Sequence, residues 1–281
     1  MLVTMKEILK IAEERNIAVG AFNTPNLECI MAVINAAEKG NYPVMITHAE
    51  VHEDVMPLSV IGPIMIGMAK NAKVEVCVHL DHGDTLPYIE RALKLGFTSI
   101  MYDGSLLSYE ENVNNTKKAV ALAKKYGASI EAEIGILGGR ESGSKPSELT
   151  IEEMYTDPYV AKKFVEDTGI DALAASFGTA HGFYKTKPKL DFERIKKIKE
   201  LVDIPLVMHG GSGVSPEDYR TGISIGIRKI NYYSYMSRVG VEAIRSKLEN
   251  EEVQFFPDLA KAAVEAMEAD AEKALKVFCQ N

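Results

Sequence analysis

The chain has 281 residues, 46% hydrophobic and 26% charged, enough apolar material for a sizeable soluble core in one large α/β domain or two ordinary ones. A formal net charge of -8 weighs against nucleic acid or an anionic membrane as partner, since both need a basic face, and no run of roughly 18 apolar residues could span a bilayer. Cys29, Cys77 and Cys279 are odd in number and far apart, so they read as reduced thiols of a cytoplasmic protein.

Residues 5–14 have helical spacing rather than a signal-peptide pattern, 18–22 read as a short strand and 27–39 as a helix. A strand at 43–47 precedes a helix at 61–70, and a strand at 74–80 precedes a helix at 86–95. A fourth strand at 99–102 leads to a long helix at 109–126. The fifth, 129–134, runs into a polar, glycine-rich loop at 137–147, and a helix follows at 159–168. Strand six (172–176) precedes a helix at 192–202, and strand seven (206–208) a helix with Pro216 in its first turn. Strand eight lies at 229–232, and an alanine-rich helix at 257–278 closes the chain. Eight strands alternating with helices predict an α/β fold, a (β/α)8 TIM barrel: a single domain over 1–281 with an extra C-terminal helix. The competing open doubly wound sheet is weakened because no GxGxxG follows the first strand.

Barrel strands deliver the side chains at their C-terminal ends to one mouth. The polar residues collected there are Asn23, His48, Asp81, His82, Asp103, Glu133, His181 and His209. One such histidine is ordinarily a hydrogen-bonded core or loop residue. Three of them, His82, His181 and His209, each followed by glycine and each from a different strand, form the pattern of a catalytic zinc site. Within VEVCVHLDHGD (74–84), period two sets Leu80 and His82 on one side and His79 and Asp81 on the other. The strand must therefore break if Asp81 and His82 are to share a site, and Gly83 permits this. His79, inside the apolar run, is expected to be structural, as are His48 and His52. HGGSG (209–213) and NYYS (231–234) follow the seventh and eighth strands, where barrels commonly bind phosphate; in isolation each is also an ordinary tight turn. The loop 138–145 is either a solvated excursion or a lid carrying a catalytic group.

As an ordered set, HLDH (79–82), MYDGS (101–105), EAEIGILGGRE (131–141), GTAHGFYK (178–185), LDFERI (190–195), MHGGSGV (208–214) and KIN (229–231) resemble the class II, metal-dependent fructose-bisphosphate and tagatose-bisphosphate aldolases. The resemblance runs from AFNTPNLE (21–28) through KINYYS (229–234). It implies a (β/α)8 barrel in which His82, His181 and His209 bind catalytic Zn2+, while Asp103 and Glu133 belong to a second divalent metal position. Asp81 matches the acid/base at the substrate's C4 hydroxyl, and Glu141 the mobile-loop acid that moves the proton at the enolate carbon. Asn23, Gly182, Gly210, Gly211, Ser212, Asn231 and Ser234 match substrate- and phosphate-binding positions, often served by a monovalent cation, Na+ or K+. The implied reaction is reversible cleavage of a phosphorylated ketose to dihydroxyacetone phosphate and an aldehyde, in a homodimer or homotetramer. Carbanion stabilisation needs a Schiff-base lysine or a Lewis acid, and no lysine plainly ends a strand.

Three departures fall on the far half of the substrate. The eighth strand ends in Asn231-Tyr232-Tyr233-Ser234 where the family usually has Asn-x-Asp-Thr or Asn-Val-Ala-Thr. The tail lacks the DPR-type arginine that many members use for the C6 phosphate, and Thr47-His48-Ala49-Glu50 replaces a small, serine- or glycine-containing pattern. The expected substrate is a ketose 1,6-bisphosphate or a ketose 1-phosphate; the departures point to an aldehyde other than glyceraldehyde 3-phosphate, as in a 6-sulfo or deoxy ketose 1-phosphate, unless Arg140, Lys145, Arg238 or a neighbouring subunit supplies the missing cation. A catalytically inactive sugar-phosphate-binding barrel and a metal hydrolase are the competing functions.

Overall fold

The computed structural model describes residues 1–137, 154–184 and 186–280. Eight parallel strands pair in chain order: β2 (Val19–Asn23), β3 (Val44–Ala49), β4 (Val76–Gly83), β5 (Ser99–Tyr102), β6 (Ser129–Ile134), β7 (Ala172–Ala175), β8 (Leu206–Met208) and β9 (Ile227–Tyr232). β9 returns to pair with β2, so the sheet closes into the expected (β/α)8 barrel. A short β1 (Leu2–Val3), absent from the sequence reading, adds to β4 outside the barrel.

Around the barrel lie α1 (Met5–Arg15), α2 (Leu27–Gly40), α3 (Leu58–Asn71), α4 (Leu86–Leu95), α5 (Tyr109–Tyr126), α6 (Pro158–Thr168), α7 (Phe192–Leu201), α8 (Pro216–Ser224), α9 (Ser234–Asn250) and α10 (Phe256–Phe278). Side-chain caps start many of them: Thr4 and Ser108 form capping boxes, and Asn26, Thr85, Asp157, Asp191 and Ser215 each accept a first-turn N–H. Such caps make the turn from strand to helix sharp. α9 was not anticipated, because only Met236 and Gly240 of its residues are buried and no apolar stripe marks it. α10 lies against α2 through Lys39–Glu272 (2.6 Å) and Asn35–Glu268 (3.1 Å), with Phe278 edge-on to Tyr219. Among the described residues no helix is long and apolar enough to cross a membrane, and all three cysteines are free and buried.

The segment after β3 shapes one wall of the mouth, and Glu53 fastens it. Its carboxylate accepts from Leu58 N–H (2.9 Å), Tyr88 O–H (2.6 Å) and Arg91 Nη2 (2.8 Å). Partial burial opposes its ionisation, but these donors win and lower its pKa to about 2. A carboxylate whose folded-state pKa is depressed stabilises the fold above its unfolded value and loses that contribution as pH falls towards the folded one. The side chain is a third exposed, so solvent screens part of the effect. Glu53→Gln is expected to cost about 1–2 kcal/mol at pH 7, with the gap to the parent narrowing as pH drops from about 4.5 towards 2. Urea unfolding across that range checks it, and a gap independent of pH would contradict the assignment.

Candidate active site

Asp81 and His82 reach the mouth together because β4 carries a bulge. Against β5, Leu80 pairs with Ile100 and Gly83 with Tyr102, so three steps on β4 face two on β5. His82 itself absorbs the irregularity with a left-handed φ of 44°. The expected break is present, but Gly83 serves it by proximity rather than by dihedral freedom. A Cβ there would lie 2.7 Å from the Met101 carbonyl oxygen.

His209 follows β8 directly, whereas His181 lies six residues beyond β7 and not at the strand end as expected. Its loop is stitched in place by Tyr184, whose hydroxyl accepts from Ala180 N–H (2.8 Å) and donates to the Gly210 carbonyl (2.7 Å). One ring nitrogen from each of His82, His181 and His209 falls within 4.8 Å of the other two. Carboxylates orient two of the rings from behind. His82 Nδ1 is 2.8 Å from Asp103 Oδ2, and His209 Nε2 is 2.7 Å from Glu131 Oε1. This leaves His82 Nε2 and His209 Nδ1 facing each other at 2.9 Å. Carboxylate-anchored imidazoles with their other nitrogen presented inward are the arrangement a bound metal requires.

The charges fit as well. Burial opposes ionisation of Asp81, Asp103 and Glu131, yet nearby groups hold all three carboxyls below their ordinary range: His82 and Lys229 act on Asp81, His82 and Ser105 on Asp103, and Lys229 and His209 on Glu131, which lies at about 2. Lys229, fully buried on β9, pairs with Glu131 at 2.8 Å. With neutral imidazoles, three carboxylates against one ammonium leave this cluster short of two positive charges, which is the charge of one divalent cation. Without a metal His82 supplies part of it: burial lowers its pKa, but Asp81 and Asp103 raise it to about 10. Burial keeps the His209 pKa low. Glu133 is the exception among the acids, since burial and the nearby charge of Asp103 raise its pKa well above the ordinary value.

Two cavities adjoin the histidines and share His181. The larger, about 790 Å³ and open to solvent, is bounded by His82, Asp103, Glu133 and an apolar wall. The smaller, about 290 Å³, gathers Asn23, Asp81, Gly182, Gly210, Gly211, Ser212, Asn231 and Ser234. Asn231 Nδ2 lies 3.1 and 3.2 Å from the two oxygens of Asp81 and fixes that carboxylate. Ser234 opens α9, whose first turn has neither a capping side chain nor an acidic residue, so its N–H groups suit an anion. Gly210, at φ 62°, packs so close to Ala180 that a Cβ would meet its carbonyl oxygen at 2.4 Å. Tyr233 N–H donates to Ser212 Oγ (2.9 Å), and its ring rests 5.9 Å from His52. Every described candidate is thus at one mouth, while Glu141 and the loop residues 138–145 lie outside the described residues.

His48 and His79 are buried as expected of structural residues, at 3.2 Å from the Tyr88 hydroxyl and 2.7 Å from Ser99 Oγ respectively. Sequence reasoning gave no role to Glu131, Lys229 or Tyr184. Period two offered a signal for the first two: Glu131 shares an inward face with Glu133, and Lys229 with Asn231.

The fold and site together define a (β/α)8 barrel with a three-histidine cluster at its C-terminal mouth. Residues 3–281 match the family described as "Fructose-bisphosphate aldolase class-II". A Staphylococcus aureus fructose-bisphosphate aldolase is 38% identical over 259 residues, 91% of this chain and 89% of that protein. The 6-phospho-5-dehydro-2-deoxy-D-gluconate aldolase of Halalkalibacterium halodurans is 39% identical over 256 residues, 89% of this chain and 86% of that one. The crystal structure of the YdjI aldolase from Escherichia coli K12 superposes with a TM-score of 0.88 at 33% identity, covering 99% of this chain and 97% of the other. The chain belongs to the class II fructose-bisphosphate aldolase family.

Proposed function

We propose that this protein is a zinc-dependent aldehyde-lyase that reversibly cleaves a phosphorylated ketose, a 1-phosphate or a 1,6-bisphosphate, to dihydroxyacetone phosphate and an aldehyde. The observation that carries the reading is the junction at His181 of a carboxylate-anchored histidine cluster with a cavity ending on an uncapped helix N-terminus. Zinc held by His82, His181 and His209 supplies a Lewis acid for the substrate carbonyl. Gly182, Gly210, Gly211, Ser212 and Ser234 surround the phosphate, with Asn23 and Asn231 beside the sugar carbons.

Asp81, ionised and fixed by Asn231, accepts the proton of the C4 hydroxyl as the C3–C4 bond breaks. The aldehyde leaves with C4, the bonding electrons stay on C3, and a proton returned to C3 completes dihydroxyacetone phosphate. Glu141 is assigned that proton by its family match. A second divalent ion at Asp103 and Glu133, a monovalent cation near the phosphate, a homodimeric or homotetrameric assembly and a cytoplasmic location complete the proposal. The test is release of dihydroxyacetone phosphate from a panel of ketose 1-phosphates and 1,6-bisphosphates, before and after chelation and after zinc is restored. Turnover that vanishes on chelation and returns with zinc is expected. Full activity after verified zinc removal contradicts the metal assignment, and no turnover on any phosphoketose contradicts the lyase reading.

A further inference from the structure

We propose, building on the lyase reading above, that the larger cavity selects an aldehyde whose far end carries no anionic group, an alkyl or neutral hydroxyalkyl chain rather than a phosphate or sulfonate. The cavity is lined by His82 and His181 and meets the phosphate cavity at His181, and the half of the substrate that leaves as aldehyde is assigned to it. Its outer wall is made by Val51, Leu106, Ile136 and Leu137. Leu106 is 59% and Val51 43% exposed, large apolar side chains standing free at the edge of a polar site. Covering them with an alkyl chain removes their surface from water, whereas covering them with a phosphate strips a dianion of its hydration and returns no hydrogen bond.

The polar members of the same wall act in the same direction. No lysine or arginine lines the cavity among the described residues, while Glu50 and Asp84 stand at its rim. Glu50 cannot swing aside to admit an anion. Its carboxylate accepts from Asp84 N–H (2.8 Å), Thr85 N–H (3.1 Å) and Thr85 Oγ (2.8 Å), which also pins the start of α4. A fixed carboxylate beside an apolar wall discriminates by repulsion as well as by attraction, and it excludes a terminal phosphate or sulfonate while tolerating a neutral chain. The phosphate cavity also lacks lysine and arginine among the described residues and contains Asp81, but it gathers Gly182, Gly210, Gly211 and the uncapped N-terminus of α9, whose N–H groups suit an anion. One end of the substrate is thus read as an anion and the other as a neutral chain.

The experiment runs the reaction in the condensing direction with zinc-loaded protein. Dihydroxyacetone phosphate is offered with glyceraldehyde, n-butanal or glyceraldehyde 3-phosphate, and its consumption is followed. We expect kcat/KM for the two neutral aldehydes to exceed that for glyceraldehyde 3-phosphate by about tenfold or more. Leu106→Arg and Val51→Arg each place a cation on the apolar wall, and at least one should raise kcat/KM for glyceraldehyde 3-phosphate several-fold. Equal or better use of glyceraldehyde 3-phosphate by the parent protein overturns the inference while leaving the lyase reading intact. So does failure of both arginine variants, if folded by circular dichroism, to improve it. Consumption with none of the aldehydes overturns the lyase reading itself, and this inference with it.

Discussion

Asp81→Asn is expected to lower kcat by about 10²–10⁴-fold while leaving zinc content and KM close to the parent values. The side chain is 1% exposed, and both its oxygens lie within hydrogen-bonding distance of Asn231 Nδ2. Asparagine has the same shape and can keep one of these contacts, so the backbone bulge that presents His82 has no reason to relax. What it loses is the capacity to accept a proton. The charges of His82 and Lys229 that keep Asp81 ionised despite its burial also make it a weak base in isolation. Its effectiveness therefore depends on proximity and on the C4 hydroxyl becoming more acidic as the C–C bond breaks. Single-turnover release of dihydroxyacetone phosphate, with zinc measured on the same sample, separates the two effects. A variant that keeps its zinc and turns over within about threefold of the parent would remove Asp81 from the proton-transfer role.

The barrel was legible because each strand is short and largely apolar and most are followed by a helix with a capping side chain, and these signals are local. Residues 99–102, 129–134 and 206–208 coincide with β5, β6 and β8. β4 was harder. Its expected end at 80 falls three residues early, because polar residues 81–83 look like a loop yet continue the ladder through a bulge. Bulges depend on how two strands register, which no single strand announces. α9 was illegible for a different reason: a helix that buries little carries little periodicity.

The same contrast holds at the site. His82 and His209 sit near strand ends, where residue type and position point the same way. His181 lies on a loop that Tyr184 ties to Gly210, a contact set by the fold rather than by spacing. Glu131 and Lys229 are more instructive. Each sits in the middle of a strand, where a charge looks like an error in a buried pattern until its partner on another strand is known. Charged pairs inside a barrel are non-local by construction, and so is their purpose here, which is to set the orientation of His209 from below.

That purpose makes the Lys229–Glu131 pair the second large expected effect. Lys229→Met should destabilise the protein by about 3–5 kcal/mol, because it leaves the carboxylate of Glu131 buried without its cation. Both side chains are 0% exposed, so solvent cannot screen the loss. Adding Glu131→Gln removes the stranded charge and should recover most of that stability. Zinc affinity should not recover with it. The Glu131 carboxylate can only accept from His209 Nε2, which forces the proton onto that nitrogen and leaves Nδ1 unprotonated, facing His82 Nε2 with Asn231 Nδ2 3.3 Å away. A glutamine amide can accept or donate, so it no longer enforces that tautomer, and a loss of about 10–100-fold in affinity is expected. Thermal unfolding and zinc competition titration on the parent, the Lys229→Met variant and the double variant read the two quantities separately. If zinc affinity returned to the parent value together with stability, the pair would be a matter of barrel packing alone; recovery of stability without affinity identifies it as the support that aims His209.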